Sequence, residues 1–332
     1  MMKKNVTVYD IAQELGISSG TVSRALNNST LISDEKREEI LATAERMHYR
    51  KRSIKRQQTR AIVTVRLFLP AAKYDYIHLF YDVAELIEGI QEGFGDTRVH
   101  IITSINDGNL AVFESKKLGD IDGCIFAFTV PSAALETLLE EREIPFILLN
   151  REKPENNYVM IDSIGGMKRL VDVAWEKYGA QLKPCYVGFS PLAGVSKRRE
   201  EGVSIRCNDL HIPFSDKDVY NLDSISELRS SILADILEKK YNTVFCFNDM
   251  IAVSLYQSAL HLCLQIPKAF SLTGFDNSPI LDLLDQRVNT IEFSLEQLGN
   301  RSGAWLLSRI INRDDIPIQE NLEGAYILGE TI

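Results

Sequence analysis

The stretch from Thr7 to Asn27, TVYDIAQELGISSGTVSRALN, constrains this chain most, because it holds two short helical patterns on either side of one glycine. Val8, Ile11, Ala12 and Leu15 recur at i, i+3, i+4 and i+7, which gives a first helix one apolar stripe. Thr7 stands at its N-cap position, with Asp10 three residues on. Gly16 supplies a left-handed stop and Ser18 a cap for the next helix. In the second pattern Val22, Ala25 and Leu26 pack back on the first helix, so Ser19, Gly20, Ser23, Arg24 and Asn27 face away from it. Two short helices across a tight glycine turn form a helix-turn-helix, whose second helix enters the DNA major groove. The small residues on its outer face allow close approach. Arg24 adds a planar fork that can hold O6 and N7 of one guanine, which a lysine does less selectively. An ordinary helical hairpin would share the periodicity, and the particular residues decide between the two.

After the polar loop NNSTLIS, Ser33 caps a third helix with Asp34 and Glu35 in its first turn, and Ile40, Leu41, Ala44 and Met47 mark its buried side. With this helix the chain closely resembles the DNA-binding domain of the lactose-repressor (LacI/GalR) family over roughly fifty residues without a gap. The resemblance implies an all-α domain over residues 1–49 that docks on double-stranded operator DNA as a homodimer. Ser19, Gly20 and Arg24 would read bases, and Tyr9, Ser18, Thr21, Ser23 and Asn27 would meet the backbone.

Charge is divided by region. The net is −9 overall, yet residues 1–60 hold twelve Lys/Arg against seven Asp/Glu, and the rest holds 25 against 39. An acidic body repels phosphate, so only the N-terminal end should be presented to DNA. From Arg46 to Arg60, RMHYRKRSIKRQQTR has seven Lys/Arg and no acid. Such a run is often a solvated linker; behind a helix-turn-helix it is a phosphate or minor-groove contact. In the resembled family residues 50–60 correspond to a hinge helix that orders on the operator and wedges a leucine into the minor groove. This chain departs from that pattern. Lys51-Arg52 replaces Pro-Asn, Lys55 replaces an alanine and Gln58 replaces the leucine, while Ile54 keeps an apolar contact and Arg56 adds charge.

From Ala61 the pattern becomes apolar runs alternating with amphipathic ones. AIVTVRLFL, VHIITS, GCIFAF and PFILL read as buried strands, with VAELIEGIQEGF and SAALETLLEER as helices between them. A second series uses CYVGF, TVFCF and FSLTGF as strands, with MKRLVDVAWEKY, ISELRSSILADILEK and MIAVSLYQSALHL as helices. Each series is a βαβ set, which demands a parallel sheet covered on both faces. The fold class is therefore an α/β core of two doubly wound lobes, residues 61–332, behind the all-α domain. CFNDMIAVSLYQSAL and LTGFDNSPI resemble the family's effector-binding core, which is similar in fold to periplasmic sugar-binding proteins. That resemblance implies three passages between lobes, near Ile161, Ile291 and Pro317, so lobe one takes 61–161 and 292–316 and lobe two takes 162–291 and 317–332.

Doubly wound sheets bind ligands beyond the carboxyl ends of their strands. Asn150 and Arg151 follow PFILL, Asn248 and Asp249 follow TVFCF, and Asp276 follows LTGF. Arg199, three residues before Gly202, matches a position where family members place an arginine against the effector. Asn150, Arg199, Asn248 and Asp276 are thus the effector-binding candidates, a set of acceptors and donors that suits a sugar or related metabolite. Two structural roles compete: Asp276 as a cap for a helix near Ser278, and Arg199 as a surface partner of Glu200 or Glu201. Tyr81 and Phe126 could stack on a sugar ring, although core packing suits each better.

Catalytic patterns are missing: no G-x-S-x-G elbow, no phosphate loop and no H-E-x-x-H helix, with five dispersed histidines. Gly165-Gly166 with Lys168 lacks phosphate-loop spacing. No metal or cofactor is expected, and five scattered cysteines read as buried free thiols. No apolar run suits a membrane span or signal peptide, so a cytoplasmic protein is expected. AYIL lies close to the last residue with no heptad tail, which favours a dimer over a tethered tetramer. The reading is a non-enzymatic, sequence-specific transcription regulator, a repressor more than an activator, controlled by a small polar ligand. The alternative is a core that binds a protein corepressor.

Overall fold

The computed structural model describes residues 6, 8–18, 21–22, 25, 33–47, 49, 56–57, 60–71, 82–107, 121–224 and 232–332. They divide into two compact units, Met1–Gln57 and Gln58–Ile332.

In the first unit α1 (Val8–Leu15) ends at Gly16, whose φ of 62° is a left-handed position that glycine adopts without strain. The Ile17 N–H reaches back to the Ala12 carbonyl at 3.0 Å and closes the turn. Ser18 Oγ accepts the Thr21 N–H at 3.1 Å, and Thr21, Val22 and Ala25 are helical. Next, α2 (Asp34–Arg46) starts on Ser33, whose Oγ accepts the Lys36 N–H at 3.4 Å. Ile11, Ala12, Val22, Ala25, Ile40 and Ala44 form the buried core between these segments. Leu41 differs from expectation, at 43% exposed. The inward stripe is Ile40, Thr43, Ala44 and Met47, and Leu41 lies about 100° round the helix from Ile40. Strand β1 (Arg56–Gln57) closes the unit, so the backbone at Arg56 is extended where a hinge helix would be helical.

The second unit begins with β2 (Arg60–Pro70), α3 (Val83–Gly93), β3 (Arg98–Asn106), β4 (Gly123–Ala127), α4 (Ala133–Glu141), β5 (Phe146–Leu149) and β6 (Tyr158–Ile161). It continues with α5 (Ser163–Tyr178), β7 (Pro184–Phe189), α6 (Ala193–Asp209), β8 (Val219–Leu222), α7 (Ile232–Glu238), β9 (Thr243–Cys246), α8 (Asp249–His261), β10 (Ser271–Thr273) and β11 (Thr290–Glu292). It ends with α9 (Leu295–Leu307), β12 (Gln319–Leu322) and β13 (Ala325–Ile327).

Two parallel sheets result. In lobe one the order is β3-β2-β4-β5-β6-β12, and in lobe two it is β10-β9-β7-β8. β4 is buried at every residue, as a parallel strand covered on both faces must be. In β2, Val63, Val65 and Leu67 join the large core with Leu86 and Ile90 of α3, while Phe68 packs on the opposite face with Phe126 and with Leu135 and Leu139 of α4. Phe126 stacks on Phe68 with ring centres 4.6 Å apart, so it is core and no sugar platform. Tyr81 lies outside the described residues. The α3–α9 crossing depends on glycines: a Cβ on Gly89 would lie 2.1 Å from the Glu296 carbonyl, and one on Gly303 would lie 2.4 Å from that of Ile90.

The lobes are joined by β11 and β13, an antiparallel pair, and by the segment after Ile161. The third passage differs from the expected place near Pro317. β12 pairs with β6 in parallel, Asn321 beside Met160, so lobe one holds the chain through Leu322 and the crossing falls between Leu322 and Ala325. QENL carries no apolar run that announces a strand. Beyond β13, Thr331 returns to lobe two, its Oγ1 donating to the Leu272 carbonyl at 2.7 Å. Cys124, Cys185, Cys207 and Cys246 are buried thiols, but Cys263 is exposed just beyond α8, against expectation. Among the described residues no helix is long and apolar enough to cross a membrane.

Candidate functional site

Asn150, Asn248 and Asp276 each follow the carboxyl end of a strand, β5, β9 and β10, and all three line one cavity of about 50 Å³ with Arg199. Phe128, Leu192, Val195, Phe247 and Phe293 supply its apolar walls. None of these five was among the candidates, because single apolar residues in loops and at helix starts look like ordinary core positions. A wider cavity of about 750 Å³ shares Asp276 and Phe293 with the first and adds Asp82, Glu85, Glu292 and Glu323.

Arg199 and Asp276 are the centre of the site. Arg199 is 3% exposed on α6, and its Nη2 donates to Asp276 Oδ1 at 2.7 Å. Its Nη1 donates to the Phe247 carbonyl, and the guanidinium lies 3.8 Å over the Phe275 ring centre and 4.8 Å from that of Phe247. A buried guanidinium held by two acceptors and two aromatic faces has its charge matched and its plane fixed. The surface pairing considered for Arg199 is therefore absent, and Lys197 takes Glu200 instead at 2.6 Å.

Asp276 has φ of 108°, and its N–H donates to the Ile291 carbonyl at 2.8 Å, which ties the site to the crossing strand β11. It caps nothing: the turn starting at Pro279 has no side-chain cap, and the Ser278 N–H goes to Asp249 Oδ2 at 2.6 Å. Asp249 is 1% exposed and also accepts from Thr290 Oγ1 at 2.8 Å. Gly274 makes room for it, since a Cβ there would lie 2.0 Å from Asp249 Oδ1. Burial and then the nearby Asp276 push the Asp249 carboxyl well above the usual carboxylate range. Burial also raises Asp276, against the pull of Arg199. Of the two carboxyls, Asp276 holds the guanidinium, whereas Asp249 meets the neutral Ser278 N–H and Thr290 hydroxyl, so the geometry places the charge on Asp276.

The two asparagines differ. Asn248 Oδ1 caps α8 by accepting the Ile251 N–H at 3.1 Å, which leaves the amide N–H groups for the cavity. Asn150 is 7% exposed with φ of 51°, its N–H donates to the Val159 carbonyl at 2.9 Å, and its Oδ1 is buried without a partner. An unpartnered buried amide oxygen on a cavity wall costs stability of about 1–3 kcal/mol, which a ligand donor would remove. Arg151 donates to the Asn150 carbonyl at 2.6 Å. Across the cleft, Arg198 of α6 meets Glu152, two residues after Asn150, at 2.5 Å.

Gly165 and Gly166 serve packing: a Cβ on Gly166 would lie 2.8 Å from the Phe275 ring, and Asp162 fills the space at Gly165 while capping α5. In the first unit Ser18 and Thr21 bond through their hydroxyls at 2.8 Å. Tyr9 lies in α1, its side chain outside the described residues, as are Ser19, Gly20, Ser23, Arg24 and Asn27. In the hinge, Arg52, Ile54, Lys55 and Gln58 also lie outside them.

A helix-turn-helix unit followed by a two-lobed, periplasmic-binding-protein-like core defines a DNA-binding transcription regulator. The model for "Bacterial regulatory proteins, lacI family" matches residues 7–51, and that for a "Periplasmic binding protein-like domain" matches residues 185–332. The chain belongs to the lacI family. It is 26% identical over 337 residues to the probable HTH-type transcriptional repressor ExuR of Bacillus subtilis, covering 97% of each chain. With catabolite control protein A of Priestia megaterium it shares 25% identity over 94% of each. In fold it is similar to the transcriptional regulator CelR in complex with cellobiose, at TM-score 0.66 and 18% identity, covering 98% of this chain and 100% of that one. The operator-bound lac repressor dimer gives TM-score 0.66 at 16% identity over 99% of each chain.

Proposed function

We propose that this chain is a homodimeric repressor whose affinity for an operator is set by a small polar metabolite, of the sugar class, in the cleft between its lobes. Asn150, Asn248, Asp276 and Arg199 hold that metabolite; Ser19, Gly20 and Arg24 read operator bases, with residues 50–60 as a basic hinge. The observation that carries the reading is the Asn150 Oδ1, buried and unpartnered on the wall of a cavity where it converges with Asp276 and the Arg199 guanidinium. A site folded only for stability would satisfy that oxygen from within the chain. The relatives support the class: one solved regulator of this fold is described with cellobiose and another with ribose. Coupling follows from the passages between lobes, because Asp276 is bonded to β11 and a ligand on Asp276 therefore favours one setting of the lobes over another.

Calorimetry of the full chain against a panel of sugars and related metabolites tests this, followed by operator binding with and without the compound that binds. Saturable binding that shifts operator affinity supports the reading. A cleft that takes no small molecule, in a chain that still binds its operator, would shift the assignment to a protein corepressor.

A further inference from the structure

The two cavities around Asp276 differ in charge. In the inner one Asp276 matches the charge of the Arg199 guanidinium, the acceptor Asn150 Oδ1 has no donor, and the donor Arg199 Nε has no acceptor. In the outer one the described lining contains Asp82, Glu85, Asp276, Glu292 and Glu323 and neither lysine nor arginine. Asp82 and Glu85 are partly offset by helix N-termini, Asp82 Oδ1 accepting the Ala84 N–H at 2.8 Å and Glu85 Oε1 the Leu295 N–H at 3.0 Å. Among the described residues Glu292 and Glu323 face no cation. Glu292 Oε1 accepts only a neutral amide, from Asn277 at 2.9 Å, and Glu323 is exposed on the third passage between lobes. Screening at physiological salt acts over about 8 Å, comparable to the width of a cavity of this size, so these charges add inside it.

A ligand with a carboxylate or phosphate in the outer cavity would meet carboxylates without a compensating cation among the described lining residues. A neutral sugar would leave their field unused. We propose that the effector carries a protonated amine: an amino sugar or aminated polyol with hydroxyls at Asn150, Asn248 and Asp276 and an ammonium beside Glu292 and Glu323. This rests on the cleft being the metabolite site. An inorganic cation would use the same acids, but the described Asp and Glu side chains form no group able to hold a metal ion. A bare ion would also leave the Asn150 oxygen unpartnered.

The test is calorimetry on the full chain at about pH 6.5, where a sugar amine is protonated. D-glucosamine, D-glucose and D-glucuronate form one matched set, and the galacto and manno counterparts form two more. In the series that binds, the amine should bind at least about tenfold tighter than the neutral sugar, with the uronate weakest, and added salt should erode the amine's advantage. Glu292→Gln with Glu323→Gln should bring the amine and its neutral parent to within about twofold of each other. A neutral sugar or uronate that outbinds its amine would overturn this inference and leave the metabolite site standing. Saturable binding of calcium or magnesium chloride alone would overturn it in favour of a metal. Failure of every sugar series would overturn it together with the proposed function.

Discussion

Arg198 Nη1 lies 2.5 Å from both carboxylate oxygens of Glu152, so α6 of lobe two is pinned to the loop after β5 of lobe one. Arg198 precedes Arg199, and one helix therefore carries both a contact across the cleft and the cation inside it. The pair is partly exposed, 23% and 35%, and such pairs are worth about 1 kcal/mol or less. Arg198→Ala should open the lobes by up to about fivefold in population. Distances between spin labels on the two lobes would report it, and the charge-swapped pair Arg198→Glu with Glu152→Arg should restore closure. An unchanged distance distribution in Arg198→Ala would mean that the contact does not set the lobe equilibrium.

Asp276 cannot be cut back without consequence, because Arg199 would remain buried at 3% exposure without its counter-charge. Asp276→Ala should lower core stability by roughly 3–5 kcal/mol in denaturant unfolding. Asp276→Asn keeps an acceptor for the guanidinium and is the functional test: operator binding persists and the response to the metabolite is lost. An Asp276→Asn chain that responds normally would remove Asp276 from the ligand site.

Burial raises Asp249, which ties stability to pH with a definite sign. A carboxyl whose folded pKa is raised contributes stability that is complete below its unfolded value, about 4, and is lost as pH rises through the folded pKa. Asp249→Asn keeps an acceptor and removes the titration. Melting curves of the two chains should coincide near pH 4, and the Asn variant should be the more stable by neutral pH. Parallel curves across that range would show that the proton is not held there.

On the DNA side, Arg24→Ala should lose about 1–3 kcal/mol of discrimination at one operator base pair and little affinity for random DNA, read by competition on single-base variants. Gln58 cannot repay the unstacking that a leucine wedge repays, so the operator should bend little at its centre. Lys51, Arg52, Lys55 and Arg56 should instead steepen the salt dependence, by about 0.9 log units per phosphate neutralised. Bending assays on permuted operator fragments distinguish these mechanisms: a sharp central kink lost in Ile54→Ala would make Ile54 the wedge.

The strands GCIFA and PCYVGF were legible because full burial on both faces leaves an apolar run, and the strand-end rule then located Asn150, Asn248 and Asp276. Helix α6 was not legible. Its buried face carries Ser196, Arg199, Glu200, Gly202, Val203 and Cys207, mostly polar or small because Arg199 lines the cleft, Ser196 bonds Tyr186 and Gly202 packs on Ile164 and Met167, so AGVSKRREEGVSIRCND reads as a surface segment. The Arg199–Asp276 pair spans 77 positions, and local spacing says nothing of a contact at that separation. The strand QENL stayed hidden because an edge strand in half-polar surroundings has no run to show.

The central claim is that occupation of the cleft changes the hold of this chain on one DNA sequence. Selecting the preferred duplex from a random pool and titrating it by fluorescence anisotropy, with and without the compound that calorimetry finds in the cleft, tests this directly. The expected result is a shift of about 1–3 kcal/mol in affinity for the selected duplex, no shift for a random one, and no shift for either in Asp276→Asn. An affinity for the selected duplex that stays the same at saturating ligand would contradict the account.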